Sequence, residues 1–110
     1  MKSADAKRIK IIESALRRFS HFGMAKTTMA EIAKDLAFSK ALLYYYFPDK
    51  NRLYAAVWNH LLDGLLERGD AIIDAGGEIG ELTAKLLDER MAFIIDYYNI
   101  FVDAYSFRFD

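Results

Sequence analysis

The sequence predicts an all-α protein, and two observations lead to that fold class. Apolar residues recur at three- and four-residue spacing through most of the 110-residue chain, which is the period of one face of a helix. The chain has one proline and six glycines, so long loops are scarce, and residues that begin or end helices separate the periodic stretches. We therefore expect helices joined by short connections, without a sheet.

The first predicted helix spans residues 5–22. Asp5 is expected to be its N-cap, and Gly23 is expected to end it, because glycine readily takes the left-handed conformation that follows a last helical turn. The core face of this helix consists of apolar residues at helical spacing: Ile9, Ile12, Leu16 and Phe19.

Two short helices follow, each preceded by a polar residue that can cap its first turn. Residues 28–31, Thr-Met-Ala-Glu, form a capping box, in which the first and last side chains bond to each other's backbone. This box predicts a helix over residues 29–36. Ser39 is expected to cap a third helix that runs to about Tyr46 and ends because the residue before Pro48 is pushed out of the helical region.

Two longer helices complete the chain. Asp49 caps a long fourth helix, which Gly76 and Gly77 end, and its apolar stripe consists of Leu53, Val57, Leu61, Leu65 and Ile72. A fifth helix is predicted from about Glu78 onward, without a visible end. We thus expect five helices, of which the first three form a compact domain. Its expected core consists of Ile12, Leu16, Phe19, Ile32, Ala33, Leu36, Leu43, Phe47 and Leu53.

Composition limits the class of protein. Apolar residues make up 54% of the chain and charged residues 28%, a balance typical of globular proteins. The absence of cysteine excludes disulfides and thiolate metal sites. No apolar run follows the first charges, and no apolar stretch is long enough to cross a bilayer. We therefore expect no signal peptide, no membrane association and a cytoplasmic location.

The charge is divided between the two halves of the chain. Residues 1–54 carry eleven Lys/Arg against five Asp/Glu, a net charge of +6, and residues 55–110 carry four against eleven, a net charge of −7. A positive half suits a polyanion such as nucleic acid, but a merely solvated surface gives the same count.

The sequence does not predict an enzyme. His21 and His60 are far apart, and neither belongs to a metal-binding His motif. The chain has no glycine-rich phosphate loop and no Ser or Cys next to a base. We expect no metal and no cofactor.

The spacing of the second and third helices predicts a helix-turn-helix. The two capped helices are separated by two or three residues near Ala37 and Phe38. In such a motif the first helix braces against the phosphate backbone, and the second enters the major groove of DNA. The spacing alone is also found in other helical hairpins.

The third helix strengthens this interpretation. Leu43 and Phe47 share a face that can be anchored in a core, which leaves three consecutive tyrosines, Tyr44, Tyr45 and Tyr46, over the rest of the circumference. Tyrosine hydroxyls can donate to phosphates, and their rings can contact sugars or thymine methyl groups. The alternative is that these rings pack within the protein, which we expect for one of the three. Three basic residues flank the motif: Lys26, Lys40 and Lys50.

Residues 9–57 resemble the N-terminal domain of transcriptional regulators of the tetracycline-repressor (TetR) type. The resemblance covers about half of the chain. It is carried in the first helix by Ile12, Ala15, Leu16, Phe19 and Gly23. It continues through Thr27-Thr28 and Ile32-Ala33, and it ends on the segment 39–50, Ser-Lys-Ala-Leu-Leu-Tyr-Tyr-Tyr-Phe-Pro-Asp-Lys.

The resemblance implies DNA-binding roles for particular residues. Thr28 would bind a phosphate at the start of the second helix. The positions implied to face base edges are Lys40, Leu42 and Tyr45, and those implied to clamp phosphates are Tyr44, Tyr46 and Lys50. The chain departs from the family at Ala37, where a turn glycine is usual, so that the turn either avoids a positive φ or accepts strain. It also departs at Leu42, where a small polar residue is common.

The resemblance further implies two domains: a DNA-binding domain over residues 1–52, and the start of a ligand-binding and dimerisation domain over residues 53–110. A small-molecule inducer and a homodimer on a pseudo-palindromic DNA operator are implied partners, and repression is the implied effect. The implied ligand-binding residues are Tyr97, Tyr98, Phe101 and Tyr105, although ordinary packing between helices is the simpler explanation for them.

Residues 93–109 contain seven aromatics, and a helix with so many apolar positions requires packing partners on more than one side. The alternative is a terminal helix folded back on its own core. We expect the chain to be incomplete, with association through Phe101, Tyr105, Phe107 and Phe109. The alternative function is a helical module that docks on an acidic protein or a membrane surface without DNA specificity.

Overall fold

The computed structural model describes residues 2–106, with the side chains of residues 5–104, and it is all-α. The helices are α1 (Lys2–Phe22), α2 (Met29–Leu36), α3 (Lys40–Tyr46), α4 (Lys50–Asp74), α5 (Ile79–Asp96) and α6 (Tyr98–Ser106). Within this range there is no strand, so the predicted fold class is confirmed. None of the described helices is long and apolar enough to cross a membrane.

The first helix differs from its prediction at its start and on its core face. α1 begins at Lys2, so Asp5 lies inside its first turn and is not the N-cap. Ile9 is 46% exposed and was wrongly assigned to the core, whereas Ile11 is fully buried. The reason is geometric: Ile11, Ala15 and Phe19 lie four residues apart and form the buried stripe, from which Ile9 is turned away.

The two short helices have the predicted bounds and caps. The Thr28 hydroxyl accepts a hydrogen bond from the Glu31 N–H at 3.1 Å, and the Ser39 hydroxyl accepts one from the Leu42 N–H at 3.0 Å. Phe47, the residue before proline, has an extended backbone and ends α3. Polar caps thus set the starts of both helices, and the residue before proline sets the end of α3.

The turn between α2 and α3 accepts strain at Ala37, whose φ of +56° lies in the left-handed region. Its N–H donates to the Lys34 carbonyl at 3.1 Å, and the Phe38 N–H donates to the Ala33 carbonyl at 2.9 Å. These two bonds close a Schellman motif, which satisfies carbonyls that the last turn of α2 would otherwise leave without partners.

α4 begins at its predicted cap, where the Asp49 carboxylate accepts the Arg52 N–H at 2.8 Å. The core of the first three helices continues onto α4 through Leu53 and Val57, both fully buried. The predicted core is confirmed except for Leu16 and Leu36, which are only half-buried at its edge. The sequence analysis did not identify the buried Met24, Met29 and Tyr54.

The prediction of a single fifth helix was wrong. The described chain bends at Tyr97, whose φ of −116° and ψ of 29° separate α5 from α6. The bend allows α6 to pack against α1, with Ile100 fully buried. No proline or glycine marks this break, so long-range packing is what sets it.

Part of the aromatic segment packs within the chain. The rings of Trp58 and Phe101 meet edge to face at 5.1 Å between centroids, and those of Phe93 and Phe101 at 5.5 Å. Tyr98 is 63% exposed. The side chain of Tyr105, together with Phe107 and Phe109, lies outside the described residues.

Substitution of Ala37 by glycine should stabilise the protein. A left-handed conformation costs an L-residue about 1–2 kcal/mol, while glycine loses roughly 0.4–1 kcal/mol more chain entropy on folding, so we expect a net gain of about 0.5–1 kcal/mol in the free energy of unfolding. Urea denaturation measures it. The control Ala55→Gly, at an exposed position inside α4, should destabilise by about 1 kcal/mol. An equal loss of unfolding free energy in Ala37→Gly and Ala55→Gly would contradict the presence of strain at Ala37.

Candidate nucleic-acid interface

The candidate interface is the outer face of α3. Leu43 and Phe47 are 0% and 2% exposed, so these two side chains fix the helix on the core. On the other side Tyr44 is 45% exposed and Tyr45 is 80% exposed, and Lys40 is exposed at the first turn. A large aromatic surface beside a positive charge is therefore open on a helix short enough to fit into the major groove.

Two other residues of the predicted set are partly engaged in packing. Tyr46 is half-buried against the core, and its ring meets that of Tyr45 edge to face at 5.3 Å. Leu42 is also half-buried. Tyr46 is thus the tyrosine that packs, and the freely presented residues of α3 are Lys40, Tyr44 and Tyr45.

Thr28 lies exposed at the start of α2, but its polar atoms bond to Glu31. Its hydroxyl donates to the Glu31 carboxylate at 3.0 Å, and its backbone N–H donates to the same oxygen at 2.9 Å. These bonds lower the pKa of Glu31, with the backbone bond as the largest cause. What this end of α2 offers a phosphate is chiefly its helix dipole and first-turn backbone N–H groups.

Lys50 lies beneath the loop that leads into Thr28. Its ammonium donates to the Met24 carbonyl at 2.8 Å and to the Thr27 carbonyl at 3.1 Å, and the side chain is half-buried. An ammonium has three N–H donors, so one remains for a phosphate. Lys26, in the same loop, is exposed.

Arg18 of α1 holds α2 in place. Its Nε and Nη2 donate to the two carboxylate oxygens of Asp35 at 2.7 and 2.8 Å, and its Nη1 donates to Glu31 at 3.2 Å. The bond to Arg18 is the largest cause that lowers the pKa of Asp35. The sequence analysis missed this role, although two acids four residues apart on α2 could have indicated it.

The described side chains of the predicted ligand-binding residues do not line one cavity together. Phe101 lines an open cavity of about 430 Å³ with Trp58 and Phe93. Tyr97 does not line this cavity, although its ring meets that of Phe93 at 5.3 Å between centroids, and Tyr98 is exposed. Over the described residues there is no group of three His, Asp or Glu side chains that could hold a metal ion.

Comparison with known proteins identifies the region that contains this interface. Residues 11–57 match the family model of bacterial regulatory proteins of the tetR family. The chain is 42% identical over 62 residues to the HTH-type transcriptional regulator RutR of Escherichia coli K12, which covers 56% of this chain and 29% of RutR. It is 36% identical over 55 residues to the regulator AcrR of Shigella flexneri, which covers 50% and 26%. The chain thus spans under a third of these relatives.

Solved structures extend the similarity beyond the helix-turn-helix. A transcriptional regulator from Cytophaga hutchinsonii has a TM-score of 0.77 and 39% identity, over 82% of this chain and 47% of that one. A TetR/AcrR regulator from Thermobifida fusca has a TM-score of 0.74 and 33% identity, over 86% and 52%. A regulator from Saccharomonospora viridis, solved in complex with choline, shares the fold at 19% identity, with a TM-score of 0.85 over 93% and 55%.

The Arg18 contacts should make folding sensitive to acid. Glu31 and Asp35 have lowered pKa values in the folded chain, so the stability they contribute is complete above their ordinary values of 4.5 and 3.8. It is lost as the pH falls from about 4.5 through the folded values. Arg18→Met should therefore show a smaller loss of stability on acidification than the unsubstituted chain, because Asp35 no longer has its cationic partner.

Urea midpoints measured between about pH 7 and pH 3 test this expectation. Lys10→Met serves as the matched control, since Lys10 is an exposed cation on the same helix. It should retain the acid sensitivity of the unsubstituted chain. Parallel curves for Arg18→Met and the unsubstituted chain would rule out the proposed electrostatic link between α1 and α2.

Proposed function

We propose that the chain is a member of the tetR family of bacterial regulatory proteins, whose family model its residues 11–57 match, and that it is a sequence-specific DNA-binding transcriptional regulator. The observation that carries the proposal is the outer face of α3, where Lys40, Tyr44 and Tyr45 stand exposed on a helix anchored by the buried Leu43 and Phe47. Two consecutive exposed tyrosines have no evident role on a surface that contacts only solvent, whereas a helix in the major groove can use them to contact DNA.

In this proposal α3 lies in the major groove and α2 faces the backbone. Lys40, Tyr45 and Leu42 contact base edges, Leu42 through a thymine methyl group because it has no polar atom. The residues proposed to hold phosphates are Lys26, Thr28, Tyr44, Tyr46 and Lys50. Tyr46 and Lys50 are half-buried, so each would contact a phosphate only through its terminal group, the Tyr46 hydroxyl or the Lys50 ammonium.

We also propose that the functional unit is a homodimer. One short helix contacts only a few base pairs, too few to select a site in a genome. Two copies related by a two-fold axis double the contacts and require a pseudo-palindromic operator with half-sites about one helical turn, or a multiple, apart. The regions of the longer relatives that this chain does not cover would supply the dimer interface.

Residues 53–110 are proposed to begin a ligand-responsive domain, which makes the protein a repressor released by a small-molecule inducer. The open cavity beside Phe101 supports this role, since it has aromatic walls from three helices. The similar fold of a regulator that binds choline supports it only as an analogy. α4 crosses the proposed boundary at residue 52, so a shift of α4 would reach both domains.

A selection of genomic fragments with the full-length protein tests the function. We expect a small set of enriched fragments that share a pseudo-palindrome, with an affinity that falls steeply as salt rises because phosphate contacts release counterions. Enrichment without a shared sequence, or binding only to acidic proteins or anionic vesicles, would instead support the alternative of a helical docking module.

Tyr45→Ala should reduce sequence preference more than it weakens binding to random duplex. A good base contact contributes roughly 1–3 kcal/mol of discrimination, so the preference among operator variants should shrink by about 5- to 100-fold at the contacted position. Tyr45 is 80% exposed, so its truncation should leave the fold intact. Fluorescence anisotropy with a panel of single-base variants measures it. The control Tyr98→Ala, on the exposed side of α6, should leave the ranking unchanged.

A further inference from the structure

The loop between α1 and α2 is held from two sides by charged side chains distant in sequence. Both backbone polar groups of Met24, in this loop, are hydrogen-bonded. The N–H donates to the Asp103 carboxylate at 2.7 Å, and the carbonyl accepts from the Lys50 ammonium at 2.8 Å. Lys50 also reaches the Thr27 carbonyl at 3.1 Å. Residues from α4 and α6 therefore fix a loop that belongs to neither.

Asp103 also lies beside Gly23, the residue before Met24. Gly23 has a φ of +86°, and a Cβ placed there would lie 3.7 Å from both carboxylate oxygens of Asp103. The loop is also tied within itself, since the Thr27 hydroxyl donates to the Gly23 carbonyl at 2.9 Å. The result is a compact turn whose orientation depends on the Asp103 carboxylate.

The helix that carries Asp103 is itself fixed to the helices below it. The Asn99 amide donates to the Ser20 carbonyl at 2.6 Å, and the Tyr54 hydroxyl donates to the Ile100 carbonyl at 3.0 Å. Burial of Tyr54 raises the pKa of its hydroxyl, so this group keeps its proton and remains a donor. Asp103 thus extends from a rigidly seated helix toward the loop.

We propose that Asp103 is a positioning residue for DNA binding, which sets the loop that presents Lys26 and the first turn of α2 to the phosphate backbone. The inference rests on the proposed function. Asp103 itself is an acid on α6 and is not expected to touch DNA, since its charge would repel phosphates. Asp103 acts through its hydrogen bond with the Met24 N–H, while Lys50 binds the Met24 carbonyl.

The direction in which the loss of the Asp103 carboxylate changes DNA affinity distinguishes a positioning role from a purely electrostatic one. Removal of a carboxylate near a polyanion should by itself strengthen binding. Positioning predicts the reverse for Asp103→Ala: we expect about 10- to 150-fold weaker binding to random duplex, the range for a lost hydrogen bond to a charged group. The slope of log affinity against log salt should stay unchanged, because no phosphate contact is removed. Asp103→Asn keeps an acceptor for the Met24 N–H and should bind at least as tightly as the unsubstituted chain.

The experiment uses fluorescence anisotropy with duplex DNA and amide hydrogen exchange at Met24, on four forms of the chain: unsubstituted, Asp103→Ala, Asp103→Asn and the control Asp96→Ala. Asp96 is an exposed carboxylate in the last turn of α5. We expect faster exchange at Met24 in Asp103→Ala alone. Asp103→Ser, whose hydroxyl is too short to reach the loop, replaces the alanine variant if the latter does not fold.

The inference would be overturned if Asp103→Ala bound DNA as tightly as Asp96→Ala, or if amide exchange at Met24 were unchanged in Asp103→Ala. The proposed function would remain intact in either case. A drop in thermal midpoint with normal affinity of the folded protein would also overturn it, since it would show a role in stability alone. Failure of the full-length protein, without substitution, to bind any duplex would instead remove the proposed function, and the inference with it.

Discussion

A helix of seven residues is too short to be stable in water by itself, so α3 depends on the burial of Leu43 and Phe47 in the core. Because these two side chains lie four residues apart, they define one face of the helix and direct Tyr44 and Tyr45 outward. The exposure of Tyr44 and Tyr45 is therefore a consequence of this anchoring. The face of α3 that the core holds therefore determines which of its side chains are exposed at the interface.

The remaining contacts hold the elements beside α3 in a fixed relation to it. The left-handed turn at Ala37 sets the angle between α2 and α3, and the Arg18 bonds to Asp35 and Glu31 hold α2 on α1. Asp103 and Lys50 fix the loop that enters α2. A surface that reads a rigid duplex benefits from such bracing, because fewer degrees of freedom must be ordered on binding.

Most of the local signals were sufficient, although Asp5 was not the N-cap of α1. The capping box at Thr28 and the caps at Ser39 and Asp49 predicted the starts of α2, α3 and α4, and the stop at Pro48 predicted the end of α3, since each depends on residues within a few positions. The bend at Tyr97 and the bond from Asp103 to Met24 could not be predicted, because they depend on packing between residues far apart in the chain. The role of Tyr45 in base reading remains a prediction.

An NMR titration of the ¹⁵N-labelled chain with duplex DNA tests whether the outer face of α3 contacts DNA. We expect the amide signals of Lys40, Tyr44 and Tyr45, with those of the loop at Lys26, to shift first and most, and we expect added salt to reverse the shifts. Shifts confined to α5 and α6, with α3 unchanged at saturating DNA, would contradict this expectation.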